Sequence, residues 1–310
     1  MSLAERLRST SGTVLLYGTT PPREGAPEDT VHFAAGKLEE RIRGLPLDGI
    51  VVYDLQDESV RTSVPRPFPF SRTIDPRAYS TLLATLTGKS AVCYKCIGQM
   101  DVAGWDDWLT RTSADFGLRL ISIVGRPSSR GAAHAMSLTR AFDVAAAHPA
   151  RFQLGAVAIA ERHSGADESR RMLEKIAHGC AFFVSQAVYD PEPTIRLLTN
   201  YLRGCRESGI APRRVVLTFS PCGRDKTMAF IKWLGISVPV ETERAILSAS
   251  RPVAKSIEIC RENLLRILDQ DDAGALPLGL NIESVSINRE EIDASVDLFH
   301  ALAEVLRRAR

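Results

Sequence analysis

Short apolar runs recur along the chain and alternate with longer segments in which apolar residues return every three or four positions. Compact runs rich in Val, Ile, Leu and Phe are typical of strands that are buried on both faces. Eight such runs predict strands at Val14–Tyr17, Ile50–Tyr53, Ala91–Cys96, Leu120–Val124, Leu154–Ile159, Phe182–Val188, Val215–Thr218 and Ser284–Ile287.

The segments between these runs carry the helical period and predict amphipathic helices. They lie at Val31–Arg43, Pro76–Leu86, Trp105–Phe116, His134–His148, Ser169–Ala177, Pro191–Ser208 and Glu290–Arg308. The long interval between the seventh and eighth strands contains two or three more helical segments, at Lys226–Trp233, Glu241–Ala249 and Val253–Asp269. We therefore expect an insertion of extra helices there.

The strict alternation of strand and helix predicts the fold class. Parallel strands need crossover connections, and a helix in each crossover covers the sheet. Eight units favour a closed barrel over an open doubly wound sheet, and no GxGxxG motif follows the first strand to indicate a Rossmann domain. The sequence thus predicts a single α/β domain over residues 1–310, a (β/α)8 TIM barrel with extra helices between strands 7 and 8.

Composition and charge narrow the class of partner. The chain has 310 residues, 45% of them hydrophobic, and its Lys+Arg 39 against Asp+Glu 37 leave a formal net charge of +2. This near balance argues against a nucleic-acid or membrane-surface binder and favours a small-molecule partner. No apolar stretch approaches the roughly 20 residues that span a bilayer, and the polar segment from Ala4 to Thr13 does not resemble a secretory signal. We expect a cytoplasmic protein and leave homo-oligomerisation open.

The six cysteines are scattered through a large, core-forming sequence, whereas disulfide scaffolds are short and dense in cysteine. Reduced thiols are therefore expected. Cys93 and Cys96 have CxxC spacing, but they lie in a predicted strand, where positions three apart point to opposite faces. This placement argues against a redox pair or a zinc site.

Polar and ionisable residues follow most of the predicted strands. In a parallel barrel the carboxyl ends of all strands meet at one rim, where active sites form. The rim residues that the sequence predicts are Thr19, Thr20, Pro21, Pro22, Arg23, Asp54, Gln56, Asp57, Glu58, Gly125, Arg126, Glu161, His163, Gln186, Tyr189, Asp190, Phe219, Ser220 and Asn288. Such a convergence of titratable groups on a concave face indicates a site.

Several of these residues have a structural interpretation as well. Asp57, like Asp54, is typical of Asx turns and helix N-caps. Glu161 and His163 can be read as two ligands of a divalent metal, although no third ligand is evident from spacing. Gln186 follows a very apolar strand, so its amide must find hydrogen-bond partners, and it offers the donor and acceptor needed to read a heterocycle edge. Lys175 lies on the intervening helix, where solvent exposure is the default.

Three segments carry a family resemblance. They are Ala158-Ile159-Ala160-Glu161-Arg162-His163, Lys175-Ile176-Ala177-His178-Gly179-Cys180-Ala181 and Gln186-Ala187-Val188-Tyr189-Asp190. In letters and spacing they resemble the Ala-x-x-Glu-x-His, Lys–Ala-Gly-Ala and Gln-x-x-x-Asp motifs of the methylenetetrahydrofolate reductases. Weaker echoes follow in the same order along the chain, at Pro21-Pro22-Arg23, Gly125-Arg126-Pro127, Gly235-Ile236-Ser237-Val238-Pro239 and Ser286-Ile287-Asn288-Arg289.

The resemblance implies a (β/α)8 enzyme that reduces 5,10-methylenetetrahydrofolate to 5-methyltetrahydrofolate with NADH or NADPH, normally through a bound FAD. A general acid opens the imidazolidine ring before the hydride arrives. By this correspondence Gln186 binds the pterin, and Tyr189 and Phe219 are candidate stacking partners. The cofactor side then comprises Arg126, Glu161, His163 and Lys175.

Two departures from the family pattern affect the chemistry. The family's acid in Glu-Phe-Phe-Pro-Pro-Arg falls on Gly18, Thr19 or Thr20, and the Asp of Arg-Gly-Asp-Pro is replaced by Arg126. We therefore expect Glu58, beside Asp57 on the strand-two rim, to supply the proton. We expect FAD to be bound weakly or not at all, so that the nicotinamide reduces the folate directly. Arg126 would meet an anionic group, either the folate glutamate or a cofactor phosphate.

Two other functions stay open at this point. The first is a folate-binding barrel of the same family that has lost catalysis and keeps Gln186 without the acids. The second is a metal-dependent lyase or aldolase-type barrel built around Glu161 and His163.

Overall fold

A computed structural model describes residues 1–57, 62–125, 136–164, 167–270 and 273–309, without the side chains of residues 163 and 164. Eight parallel strands close into a barrel in chain order, with the last strand pairing with the first. They are β1 (Leu15–Thr19), β2 (Gly49–Val52), β3 (Ala91–Cys96), β4 (Leu120–Val124), β5 (Gln153–Ala158), β6 (Cys180–Ala187), β7 (Arg214–Phe219) and β8 (Leu278–Ile282). This is the (β/α)8 TIM-barrel architecture that the sequence predicts.

The helices of the described residues cover the outside of this barrel, except the first, which lies below it. They are α1 (Leu3–Arg8), α2 (Glu28–Ile42), α3 (Pro76–Thr87), α4 (Val102–Ala114), α5 (Leu138–Ala147), α6 (Glu168–Ala177), α7 (Pro191–Glu207), α8 (Asp225–Trp233), α9 (Val240–Leu247), α10 (Pro252–Leu268) and α11 (Arg289–Arg308). Short 3-10 helices occur at Ala160–Ser164 and Ala273–Ala275. The predicted insertion between β7 and β8 thus consists of α8, α9 and α10. Among the described residues, no helix combines the length and apolar character needed to cross a bilayer.

The sequence-based position of the eighth strand is wrong. Ser284–Ile287 alternates small polar and apolar residues, which is typical of a half-buried strand, but this segment is a loop and Ile287 is 79% exposed. The real β8 contains Gly279 and Asn281, two residues that are depleted in strands. Gly279 is required there because a Cβ atom would lie 2.8 Å from the carbonyl oxygen of Val14 on the adjoining strand segment. Asn288, expected on the strand-eight rim, instead caps α11 by accepting hydrogen bonds from the backbone N–H groups of residues 290 and 291.

Alternate strand residues form two separate apolar cores. One side of each strand packs against the helices, and the other side fills the barrel interior with residues such as Leu16, Val51 and Val216. The helix α1, which the sequence analysis missed, adds Leu3 and Leu7 to the interior core from below, at the amino ends of the strands. A packed interior leaves the carboxyl ends of the strands as the open mouth.

The insertion is joined to the barrel by a third apolar cluster and by a buried carboxylate. Glu291 of α11 is fully buried and accepts hydrogen bonds from the backbone N–H of Gly223, from the hydroxyl of Thr227 at 2.8 Å and from the hydroxyl of Ser286. These bonds fix the loop after β7 and the start of α8 against the last helix. The insertion is therefore anchored directly beside the mouth.

Candidate active site at the barrel mouth

The strand pleat decides which side chains enter the mouth. Leu280 and Ile282 of β8 belong to the core that faces the helices, which turns Asn281 and Glu283 towards the barrel interior. The backbone N–H of Glu283 bonds the carbonyl of Phe219 at 3.1 Å and so extends the strand pairing by one residue. The inward positions nearest the mouth are Gly18, Tyr53, Gln186, Thr218, Asn281 and Glu283.

A hydrogen-bond chain links four of these side chains. The amide of Asn281 donates to the Tyr53 hydroxyl at 2.8 Å and is also 3.2 Å from the Thr218 hydroxyl. The Tyr53 hydroxyl in turn bonds the carboxyl group of Glu283. An oxygen that already accepts from an amide has its proton available for a carboxylate. Tyr53 therefore fixes the carboxyl group of Glu283 in one orientation.

Glu283 has the protonation behaviour of a general acid. Burial raises the pKa of its carboxyl group from 4.5 to about 7, and the hydrogen bond from Tyr53 limits the rise. The side chain is only partly covered, at the open end of the barrel, so it is accessible to a ligand. A carboxylic acid whose pKa lies near the working pH can both give and recover a proton efficiently.

Gly18 makes room for this arrangement. A Cβ atom at that position would lie 2.8 Å from the Tyr53 hydroxyl and 3.1 Å from Cβ of Glu283. Both side chains therefore pack directly on the backbone of β1. The family acid is missing from this strand, and the space that such a side chain would need is filled by Tyr53 and Glu283.

Gln186 reaches the mouth through an irregularity in β6. The pairing of β6 with β7 shifts register between Val184 and Ala187, and the hydroxyl of Ser185 replaces the missing backbone acceptor for the N–H of Thr218, at 2.9 Å. Bulges of this kind re-aim side chains next to active sites. The amide nitrogen of Gln186 is 3.4 Å from the carbonyl of Leu234, while its buried Oε1 has no hydrogen-bond partner among the described residues.

Glu161 and Asp190 meet at the edge of the mouth. Ser237 joins them, because its N–H lies 3.3 Å from the Glu161 carboxylate and its hydroxyl 3.1 Å from that of Asp190. Burial raises the pKa of Glu161, and the nearby charge of Asp190 raises it further. Asp190 also caps α7. The structure thus brings together two of the predicted rim acids.

Lys175 lies between β5 and α6. Its ammonium group donates to the carbonyl of Val157 at 2.9 Å and lies 3.5 Å from the fully buried carboxylate of Glu168. Burial lowers the pKa of Lys175, and Glu168 opposes this shift. These contacts give Lys175 a structural role in holding α6 against the barrel.

The two predicted aromatic partners do not reach the mouth. Tyr189 is 1% exposed, packs among the side chains of the insertion and donates its hydroxyl proton to the carbonyl of Ser220. Phe219 is fully buried in the core that faces the helices. The aromatic side chains that line this part of the interior are instead Tyr53 and Tyr94, whose rings pack edge to face at 4.9 Å.

Comparison with known proteins identifies a relative across the whole chain. No protein-family model matches the sequence, and no curated protein matches it. A solved structure does: an uncharacterized protein from Clostridium thermocellum that binds two copies of 5-methyl-5,6,7,8-tetrahydrofolic acid. It is 30% identical, with a TM-score of 0.82 over 98% of this chain and 99% of that one. The chain belongs to the family of this clostridial barrel.

Two further barrels of known structure resemble this chain far less. A phosphonopyruvate hydrolase is 12% identical, with a TM-score of 0.49 over 99% of this chain and 88% of its own. A phosphoenolpyruvate phosphomutase from Streptomyces platensis subsp. rosaceus is 14% identical, with a TM-score of 0.47 over 98% and 87%. At these values nothing about function follows.

Glu283, the acid at the mouth, is not among the rim residues predicted from the sequence. Glu283 was overlooked because the eighth strand was placed too late, and the signal that reveals it is an acid directly after the apolar run Leu278–Ile282. Of the other predicted acids, Asp57 is exposed, whereas Glu58 lies outside the described residues. Asp54 is structural, accepting from the N–H of Cys96 at 2.8 Å.

The residues predicted to bind the cofactor do not come together as a flavin site within the described part of the chain. Arg126 and the side chain of His163 lie outside the described residues. Lys175 is engaged by Val157 and Glu168, and the Glu161–Asp190 pair would repel a diphosphate. Of the predicted cofactor residues that the structure describes, none therefore offers an available cation to the diphosphate of FAD. The part of the chain that the structure describes also contains no cluster of three or more potential metal ligands.

Proposed function

We propose that this barrel reduces 5,10-methylenetetrahydrofolate to 5-methyltetrahydrofolate with NADH or NADPH and without a flavin. Three observations support this function: the reductase-like motifs around Gln186, the 5-methyltetrahydrofolate bound by the clostridial relative, and an acid with a pKa of about 7 at the mouth. The position and pKa of Glu283 carry the proposal, since they supply the proton donor that the sequence lacks at β1.

The reaction needs one proton and one hydride. Protonated Glu283 donates its proton to N10 of the folate, the bond from N10 to the bridging carbon breaks, and an iminium forms between that carbon and N5. The reductant delivers its hydride to the exocyclic carbon, which becomes the methyl group, and NAD(P)⁺ leaves. Glu283 then recovers a proton from water. Tyr53 holds the carboxylate that remains after proton transfer by donating its hydroxyl proton to it.

Gln186 is proposed to bind the pterin. Its Oε1 atom is buried without a hydrogen-bond partner among the described residues, which is costly unless a ligand supplies a donor. The ring N–H and amino groups of a pterin are donors of this kind. Because the side-chain amide of Gln186 is neutral, it does not compete with the folate for the proton of Glu283. Arg126 stays proposed as the partner of the folate glutamate or of a cofactor phosphate.

The central experiment compares the two candidate acids. Glu283→Gln keeps an acceptor for Tyr53 but removes the proton, so kcat for NAD(P)H oxidation with methylenetetrahydrofolate should fall roughly 10²–10⁴-fold. Glu58→Gln tests the donor expected from sequence, and Glu290→Gln on the exposed start of α11 is the matched control. Near-wild-type turnover by Glu283→Gln, together with a large loss in Glu58→Gln, would return the role to Glu58.

The absorbance spectrum of the purified protein tests the flavin-free part of the proposal. We expect no stoichiometric flavin bands, and turnover that does not depend on added FAD. Stoichiometric yellow flavin, or activity only after FAD is added, contradicts the flavin-free part of the proposal. The role of Glu283 is tested separately, by Glu283→Gln.

A folate-binding barrel without catalysis is the second candidate, and the ligand of the clostridial relative favours it. It predicts saturable binding of 5-methyltetrahydrofolate, weakened by Gln186→Ala, with no oxidation of NADH or NADPH in the presence of methylenetetrahydrofolate. Turnover that Glu283→Gln abolishes would exclude it.

A further inference from the structure

A groove of about 620 Å³ opens at the end of the barrel opposite the mouth. It lies between α1, the second half of α3 and the amino ends of β3, β4 and β5. This volume is within the range of small-molecule sites, roughly 300–1,000 Å³. The groove is separated from the mouth by the packed barrel interior, so it cannot be an extension of the candidate active site.

The polar part of the groove is strongly cationic. Arg8, Arg119 and Arg151 all line it, and none of its lining residues is acidic. The charge is local, since the whole chain carries 39 basic and 37 acidic side chains. Three guanidinium groups around one concavity repel one another unless an anion is bound between them.

The arginines of the groove have no ion pair with an acid among the described residues, unlike a set of arginines on the outer helices. Arg43, Arg170 and Arg308, for example, each pair with an acid one helical turn away. In the groove, Nε of Arg8 donates to Gln153 at 2.8 Å and Nη1 of Arg119 donates to the carbonyl of Ala150 at 3.1 Å.

These two bonds use one N–H group each of the five that a guanidinium carries. The side chain of Arg151 has no hydrogen bond or ion pair with the described residues. The single bond on each of Arg8 and Arg119 holds the guanidinium in place, and its other N–H groups are suited to binding the carboxylate of a ligand.

Arg151 is held in a conformation that favours glycine. Its φ angle is 55°, and it is the only non-glycine residue with positive φ among the described ranges. A left-handed backbone costs an arginine about 1 kcal/mol relative to glycine. The sequence nevertheless places a long cation there, at the point where β5 begins and the groove opens.

The remaining surface of the groove is suited to a flat apolar body. Phe116 and Leu118 form one wall, and Ala84 and Ala91 line the groove beside the hydroxyl of Thr81. We propose that this groove binds a small organic anion that combines an aromatic ring with two carboxylates. The ring would pack on the apolar wall, while the carboxylates would bridge the arginines in bidentate fashion.

The test uses p-aminobenzoylglutamate, which has one aromatic ring and two carboxylates, and measures its binding to the full-length protein by titration calorimetry. We expect saturable, salt-sensitive binding, with little or no binding of the neutral diamide of the same compound. Arg119→Ala and Arg151→Gly should each weaken binding about tenfold, in line with the loss of one charge-assisted contact. Arg151→Gly suits the local backbone, so misfolding does not explain its effect.

Two controls separate the groove from the mouth. Arg196→Ala removes an exposed arginine of α7 and should leave binding unchanged. Arg126→Ala removes the residue proposed to hold the folate glutamate at the mouth and should also leave it unchanged. The inference is overturned if the probe does not bind, if Arg119→Ala with Arg151→Gly has no effect, or if Arg126→Ala alone abolishes binding. Each of these results is independent of NAD(P)H oxidation, which tests the proposed function.

Discussion

Individual side chains at the mouth explain why the pKa of Glu283 is raised to about 7. Glu283 is pressed against β1 because Gly18 has no side chain, and Tyr53 covers its other side. Desolvation favours the neutral carboxylic acid, while the tyrosine hydroxyl prevents the shift from becoming extreme. The packing that raises the pKa therefore also places the proton donor against β1, while the Tyr53 hydroxyl moderates the shift.

This raised pKa must cost stability at high pH. The folded protein holds the Glu283 proton up to a pH of about 7, whereas the unfolded chain releases it near 4.5. The folded state therefore binds more protons between these values, and stability falls as pH rises through that interval. Above a pH of about 7 the loss of stability is complete, because the carboxyl group is then ionised in both the folded and the unfolded state.

Glu283→Gln should remove this loss of stability, because glutamine does not ionise. We expect the variant to exceed wild type in free energy of unfolding by about 1–3 kcal/mol at pH 8, with the difference shrinking towards zero near pH 5. Urea unfolding at several pH values measures it, with Glu290→Gln as an exposed control. A difference that does not change with pH would mean that the carboxyl group is not perturbed.

At the scale of elements, the β6 bulge and the loop after β2 shape the mouth. The indole N–H of Trp233 in α8 donates to the carbonyl of Val64 at 2.9 Å. The guanidinium of Arg66 lies 5.2 Å from the ring centres of both Phe230 and Trp233. Cation–π contacts of this kind join the loop to the insertion. The insertion therefore helps to position the part of this loop that contains Val64 and Arg66.

Ser185→Ala tests the bulge. Removing the hydroxyl leaves the buried N–H of Thr218 without its acceptor, so the free energy of unfolding should fall by about 1–3 kcal/mol. Binding of 5-methyltetrahydrofolate should weaken as well, because the bulge aims Gln186. Ser248→Ala, at an exposed serine that bonds only its own helix, is the control for both measurements. Unchanged stability and affinity would show that the hydroxyl does not maintain the bulge.

At the scale of the whole molecule, the barrel is closed from below by the chain's first helix. Arg214, 1% exposed at the start of β7, donates to the carbonyls of Arg6, Ser9, Ser11, Gly12 and Leu278. One side chain thus joins α1 and the segment after it to the bottom of the barrel. The same helix forms a wall of the arginine-lined groove.

Arg214→Lys should destabilise the whole fold. An ammonium group has three donors and no planar fork, so it cannot serve five carbonyls, and the mostly half-buried acceptors left over cost about 1–3 kcal/mol. We expect a lower midpoint in urea and faster tryptic cleavage after Arg8. Arg203→Lys on the exposed face of α7 is the control. Equal midpoints and cleavage rates for Arg214→Lys and wild type would show that α1 is held by other contacts.

The sequence by itself determined the features that depend on local pattern. Buried strands and amphipathic helices have different periods, so seven of the eight strands and the inserted helices were placed correctly to within a few residues. The motif at Gln186 was also visible, because its residues are close together in the chain. The domain boundaries that the sequence predicts remain a prediction.

Only the tertiary structure decided which residues from distant strands meet. Gly18, Tyr53 and Glu283 come together because closing the barrel sets β8 beside β1, and no local pattern in a strand containing Gly279 and Asn281 announces that pairing. The arginines of the groove likewise come from three separate parts of the chain, namely α1 and the segments before β4 and β5. Sequence periodicity reports the face that a residue presents, whereas the pKa of an acid and the charge of a groove depend on neighbours that only the closed fold supplies.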